Sequence, residues 1–232
     1  MKAVRYQGPG HIEIVDIPKP TPRPEEVLVE LKAACINNQT DTHAYDGIRN
    51  TYPQDPGCPG REGAGVVAAV GEKVKEIAVG DHVVMEGPRM YADFCVRRRT
   101  EVARIDPELD FIEAAPLALA GTVVSAAQRV GEFKGAPIII TGLGPAGLIM
   151  VQLARFLGAS EILALDVKPD RFELARELGA TTTALSNDRT VLRRFRDVPA
   201  AAVVSAAGVL LVYGVCYLMI AHLIFWNREL VP

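Results

Sequence analysis

The chain has 232 residues, 49% of them hydrophobic and 23% charged, enough for a sizeable core in one large domain or two small ones. Twenty-five Lys and Arg stand against 28 Asp and Glu, for a formal net charge of -3, and Arg97-Arg98-Arg99 is the longest block of like charge. Nucleic-acid binding therefore has no electrostatic basis. Cys35, Cys58, Cys95 and Cys216 are widely spaced, without a C-x-x-C pair, and the N-terminus carries no apolar leader, so a reduced, cytoplasmic protein is expected.

From Met1 to about Leu31, "HIEIVDI" and "EVLVELK" alternate as strands do. Between them "PKPTPRPEE" has Pro18, Pro20, Pro22 and Pro24 at every second position, which excludes helix and central strand and predicts an exposed connector. A PxxP ligand is the weaker alternative. From Gly60 to Val96, glycines punctuate the strand-length runs "GAGVVAAVG", "IAVGDHVVM" and "MYADFCV", with turn signals about every 8 to 12 residues, as in a small barrel or sandwich. After "DPELDFIEAAPLALAGTVVSAAQRVGEF" the segments become helix-length, and a domain boundary belongs near residues 105 to 135.

The second texture carries the strongest chemical signal. Gly142, Gly144 and Gly147 form G-x-G-x-x-G, with Pro145 and Ala146 inside it, directly after the continuous apolar run Ile138-Ile139-Ile140. The loop opens a helix that runs to "ARFLG", where Gly158 suits a left-handed cap. Glycine is needed here for the tight turn, for close backbone approach to a pyrophosphate and for helix packing, while N–H groups of the first helical turn attract the anion. Asp166 ends the next strand, "EILALD", about 20 residues after the last glycine, where its carboxylate would accept from a ribose diol. It would repel a 2'-phosphate, so NAD is favoured over NADP, a preference that Lys168 would soften. The plainer alternative is that the glycines serve only a tight turn.

With "MKAVRYQGPGHIEIVDIPKP", "AACINNQTDTHAYDG", "PGREGAGVVAAVGEKVKEIAVGDHVV" and "GLGPAGLIMVQLARFLGA" followed by "LDVKPDRFELARELGA", the chain resembles the medium-chain dehydrogenase/reductases over about residues 1 to 190. That family joins a GroES-like β domain to a Rossmann domain and includes the zinc alcohol dehydrogenases. The resemblance implies a ligand cysteine where this chain has Asn38, a ligand histidine where it has Arg61, and a third ligand cysteine at about Leu119. Arginine is permanently cationic and only donates, so it cannot replace a zinc ligand, and no zinc is expected. Thr40, Asp41 and His43 match positions that the resemblance assigns to a relay hydroxyl, a carboxylate behind the metal and a histidine that passes protons to solvent. Arg61 would then stabilise charge developing on a carbonyl oxygen, with Asn38 as a second donor. The competing reading pairs Arg61 with Asp41 or Glu62 as a structural ion pair and leaves His43 as an exposed loop histidine.

The C-terminal part departs from the family, because no charged residue lies between Asp197 and Arg228. A membrane span over residues 199–226, cytoplasmic on its "RTVLRRFR" side, competes with a shortened Rossmann reading in which "AAAVVSAAG" and "VLLVYGVCY" are strands. A parallel crossover needs a dozen or more residues, and only Gly208 stands between those two runs. The shortened Rossmann reading is the one adopted.

The expected fold is α/β: a GroES-like β-barrel domain over residues 1–115, then a truncated Rossmann parallel-sheet domain over 116–232. The expected activity is zinc-independent hydride transfer between NAD(H) and a small alcohol, aldehyde, ketone or quinone in a cleft between the domains. Its partners would be a small-molecule substrate and a second copy of the chain in a homodimer. The alternative is a catalytically degenerate nucleotide-binding or membrane-anchored interaction protein.

Overall fold

A computed structural model describes residues 1–37, 39–48, 51–194 and 203–205. The chain divides into two compact units between Leu119 and Ala120.

In the first unit, β1 (Lys2–Gly8) and β2 (His11–Asp16) form an antiparallel hairpin. The proline-rich segment after β2 is extended and largely exposed, as its missing N–H donors require. It leads into β3 (Glu26–Cys35), after which come the short helix α1 (Thr40–Tyr45), β4 (Glu62–Val70), β5 (His82–Glu86), β6 (Phe94–Arg98) and β7 (Val102–Arg104). These strands make a curled antiparallel half-barrel in the order β6-β3-β4-β5-β7, of GroES-like form. Alternation places Val27, Val29, Val67, Val83, Met85 and Cys95 in one buried cluster. A second cluster sets Ala64 and Val84 against Ala114 and Ala115, at the end of α2 (Phe111–Ala114).

The curl has a local cause in the β3–β4 pair, whose register shifts between Leu28 and Val29 and again between Leu31 and Ala33. Such bulges bend the strand and increase its twist. Gly65 sits at this bend, where an added Cβ would lie 2.1 Å from the Glu30 carbonyl oxygen. Only glycine permits so close a backbone approach.

The division between units falls within α3 (Leu117–Val130). Beyond it the chain alternates strand and helix: β8 (Pro137–Thr141), α4 (Pro145–Phe156), β9 (Glu161–Asp166), α5 (Phe172–Leu178), β10 (Thr182–Leu185), α6 (Arg189–Arg194) and β11 (Val203–Ser205). The four strands are parallel in the order β10-β9-β8-β11, a partial Rossmann sheet. Ile138 to Ile140 and Ile162 to Leu165 are buried, as expected of strands covered on both faces. Helix α4 buries Ala146, Met150, Val151 and Ala154 on one stripe and packs on β8 and β9. Successive strands run outward from β8 through β9 to β10, and β11 then pairs on the other side of β8. The end of β8 is therefore the switch point at which open α/β sheets bind ligands.

Within residues 199–226, Val203–Ser205 is thus a parallel strand against Ile139 to Thr141. The remainder of that segment, including "VLLVYGVCY", lies outside the described residues.

Candidate functional site

The glycine loop lies at the switch point. Gly142 has φ +87, a left-handed conformation open to glycine at little cost, and its N–H donates to the Leu165 carbonyl at 2.7 Å. The Leu143 N–H then donates to Asp166 Oδ2 at 2.6 Å, tying the loop to the end of β9. A second backbone donor, the Lys168 N–H, reaches Asp166 Oδ1 at 3.1 Å, so the carboxylate is held by both oxygens while Lys168 is exposed. Gly144 is the N-cap of α4 and supplies no side-chain cap; Pro145 opens the helix, and Ala146 and Gly147 are buried. A Cβ at Gly144 would find no heavy atom nearer than Arg171 Nη1 at 3.9 Å. This uncapped helix start presents first-turn N–H groups that favour an anion such as a pyrophosphate.

Arg171 was not singled out from the sequence, yet its Nη1 donates to the Leu143 carbonyl at 2.9 Å. Its spacing, five residues past the strand-ending acid, is the signal that would have found it. It adds a cation beside the loop that already holds Asp166.

The site residues of the first unit gather around the entry to α1. Asn37 organises it: its Oδ1 accepts from the backbone N–H groups of Gln39 at 3.0 Å and Thr40 at 3.1 Å. Its own N–H donates to Asp41 Oδ2 at 2.6 Å, and its Nδ2 donates to Glu62 Oε1 at 3.4 Å. Asp41 and Glu62 are both buried, at 1% and 7% exposure, and Asp41 Oδ1 and Glu62 Oε2 have no hydrogen-bond partner among the described residues. Tyr91 places its hydroxyl 2.5 Å from Asp41 Oδ2 and 3.1 Å from the Cys35 carbonyl oxygen. Thr40 is exposed and His43 half-buried, both on α1. Asn38 lies outside the described residues.

Burial sets the electrostatics here. It pushes the Glu62 carboxyl above its ordinary range; the Asp41 charge adds to the shift, while the Asn37 hydrogen bond opposes it. Burial, followed by the Asp41 contact, likewise raises Tyr91, and burial with the Glu62 charge raises the Cys35 thiol. Tyr91 is therefore a hydrogen-bond donor to Asp41 at neutral pH, and Cys35 is a thiol.

Arg61 immediately precedes β4, and among the described residues its ion pair is with Glu86 and not with Asp41 or Glu62, although its charge also acts to lower the Glu62 pKa. Its Nη2 lies 3.8 Å from Glu86 Oε1, with the two side chains 44% and 45% exposed. Glu86 stands opposite Glu62 in the β4–β5 register, which puts Arg61 beside two acids of different burial. A long, half-exposed pair of this kind contributes little stability. The donor set does not suit zinc: an arginine stands at one expected ligand position, and the described residues hold no group of three or more His, Cys, Asp or Glu able to bind a metal ion.

A curled antiparallel unit followed by a parallel sheet with a glycine loop at its switch point defines a dehydrogenase/reductase class. Residues 23–125 match the family described as the alcohol dehydrogenase GroES-like domain. The chain is 32% identical over 199 residues to an alcohol dehydrogenase of Geobacillus stearothermophilus, covering 73% of this chain and 58% of that protein. Among solved structures, it matches a quinone oxidoreductase of Pseudomonas syringae pv. Tomato DC3000 at TM-score 0.70 and 28% identity, over 83% of this chain and 61% of the other. It also matches an alcohol dehydrogenase of Thermus sp. ATN1 at TM-score 0.70 and 26% identity, over 84% and 66% of the respective chains. The chain belongs to the medium-chain, zinc-type alcohol dehydrogenase-like family. It spans 58% of the length of that Geobacillus alcohol dehydrogenase and 61% of a second alcohol dehydrogenase from the same organism.

Proposed function

We propose that this protein is a zinc-independent oxidoreductase that transfers hydride between NAD(H) and a small alcohol, aldehyde, ketone or quinone. The observation that carries this reading is the Gly142 to Gly147 loop at the switch point, tied to Asp166 through the Leu143 N–H. When bound there, the dinucleotide supplies or accepts the hydride. The chain's own residues do the rest: the loop and the start of α4 hold the pyrophosphate, Asp166 accepts from the ribose diol, and Arg61 offers a fixed positive charge to a carbonyl oxygen that becomes anionic. Thr40 and His43, on the same short helix, are the residues we assign to moving the accompanying proton to solvent. Family relatives named as an alcohol dehydrogenase and a quinone oxidoreductase support the substrate class.

Asp166 favours NAD, because a 2'-phosphate beside a carboxylate adds like-charge repulsion, which Lys168 and Arg171 reduce. Replacing Asp166 by Ala is expected to shift the ratio of dissociation constants toward NADPH by about tenfold or more, roughly the effect of one unit charge at close range. Tighter NADPH than NADH binding by the natural protein would contradict the assignment.

A second reading, a nucleotide-binding protein without turnover, is favoured by Arg61, which stands at an expected ligand position and pairs with Glu86. NADH oxidation in chelator-treated protein, tested with aldehydes, ketones and quinones, separates the two. Carbonyl-dependent oxidation supports the enzyme, while tight NADH binding without turnover on any of them supports the silent binder.

A further inference from the structure

A basic run in a sequence is usually a solvated surface, and Arg97-Arg98-Arg99 has that look. The β6 pleat separates its members. Cys95 and Arg97 share the face turned inward, while Arg98 is exposed. Arg97 is consequently only 7% exposed. Its Nη1 donates to the Val96 carbonyl at 2.7 Å and its Nη2 to the Pro88 carbonyl, with Met90 Sδ 3.6 Å from Nη2. Nε is buried and has no hydrogen-bond partner among the described residues. Among the described residues no carboxylate stands within ion-pair distance of it. A guanidinium stays charged at any accessible pH, and two neutral carbonyls offset only part of the cost of stripping its water.

Arg97 also borders a groove of about 330 Å³, walled by Ile17, Pro18, Pro56 and Phe94 and bounded by Arg89. That volume is at the small end of the range for small-molecule sites. Lys19 Nζ stands 3.6 Å from the centroid of the Phe94 ring that walls the groove, and Arg89 on its rim is paired with the exposed Asp55. Apolar walls beside the uncompensated charge of Arg97 match an anion with an apolar body.

We propose that this groove is a ligand site for a small organic carboxylate. The carboxylate supplies the counter-charge that Arg97 lacks, and the apolar body lies against Ile17, Pro18 and Phe94. None of these residues belongs to the glycine loop or to the Asp41–Glu62 cluster, so the site stands or falls independently of the dehydrogenase reading.

The test is an amide-resolved NMR titration of the full chain with benzoate as the probe. Benzyl alcohol serves as its neutral counterpart and inorganic phosphate as a bare anion. The expected result is saturable shifts at Phe94 to Arg97, with binding weaker by at least about tenfold for benzyl alcohol and for Arg97→Gln. Arg89→Gln and Phe94→Ala, which alter the rim and a wall, are expected to weaken benzoate as well and carry the test should Arg97→Gln fail to fold. Absence of saturable shifts, equal binding of benzyl alcohol, or unchanged benzoate affinity in the folded variants would overturn the proposal. Phosphate binding as tight as benzoate would overturn the assignment to an organic carboxylate.

Discussion

At the residue scale, Arg61 and Glu62 are sequence neighbours with opposite environments. Arg61 is half exposed in a long pair with Glu86, whereas Glu62 is buried beside Asp41. Because the Arg61–Glu86 pair is worth at most about 1 kcal/mol, Arg61→Gln is expected to fold normally. If the guanidinium faces a developing oxyanion, the variant should lose about a hundred-fold to a thousand-fold in kcat. Steady-state kinetics at unchanged melting temperature checks this, and wild-type turnover in a folded variant would remove Arg61 from the chemistry. Glu62 predicts a stability effect instead. Burial raises its folded-state pKa, so above the ordinary carboxylate pKa of about 4.3 the native protein holds a proton that the unfolded chain has lost. Stability therefore falls as pH rises through the window from that value to the raised one. Glu62→Gln should abolish this part of the slope and gain stability relative to the natural protein toward neutral pH, as urea unfolding across that range would show. A parallel pH profile in the variant would contradict the shift.

At the element scale, the β3–β4 bulge and the β8–α4 loop fix the shape of the two units. Gly65→Ala would push a Cβ into the Glu30 backbone at 2.1 Å, with no flexible side chain to give way. The expected cost is about 1–3 kcal/mol, measured as a lower urea midpoint at an unchanged slope; a midpoint equal to that of the natural protein would show that the bulge relaxes freely. Much of this level was legible in the sequence. Ile138 to Ile140, the glycine spacing and Asp166 are local signals, and the structure forms strand, loop, helix and strand over them. Contacts that depend on register were not legible. Glu86 meets Arg61 because β5 pairs antiparallel with β4, and Tyr91 reaches Asp41 across 50 residues of sequence. Asn37 was overlooked because its chemistry arises from its place before α1, and an asparagine carries no comparable motif. Arg97 was hidden in a basic run that only the β6 alternation resolves.

At the scale of the whole molecule, each unit has its own source of order: a buried apolar cluster in the half-barrel, and buried parallel strands in the second unit. The enzyme reading starts from the Gly142 to Gly147 loop and its tie to Asp166, so nucleotide binding by this chain is the question on which the account turns. The loop geometry permits a direct answer. Gly144 has φ -66, which any residue adopts, and its Cβ direction meets Arg171 Nη1 only at an ordinary contact of 3.9 Å. Valine there should cost only about 1 kcal/mol at the helix N-cap while blocking backbone approach to a pyrophosphate. The decisive measurement is a calorimetric titration of NADH into chelator-treated natural protein and into Gly144→Val. We predict one NADH per natural chain, and affinity lost by about a hundred-fold or more in a variant that still melts cooperatively. Equal NADH affinity in the two proteins, or no binding to the natural one, would contradict the account.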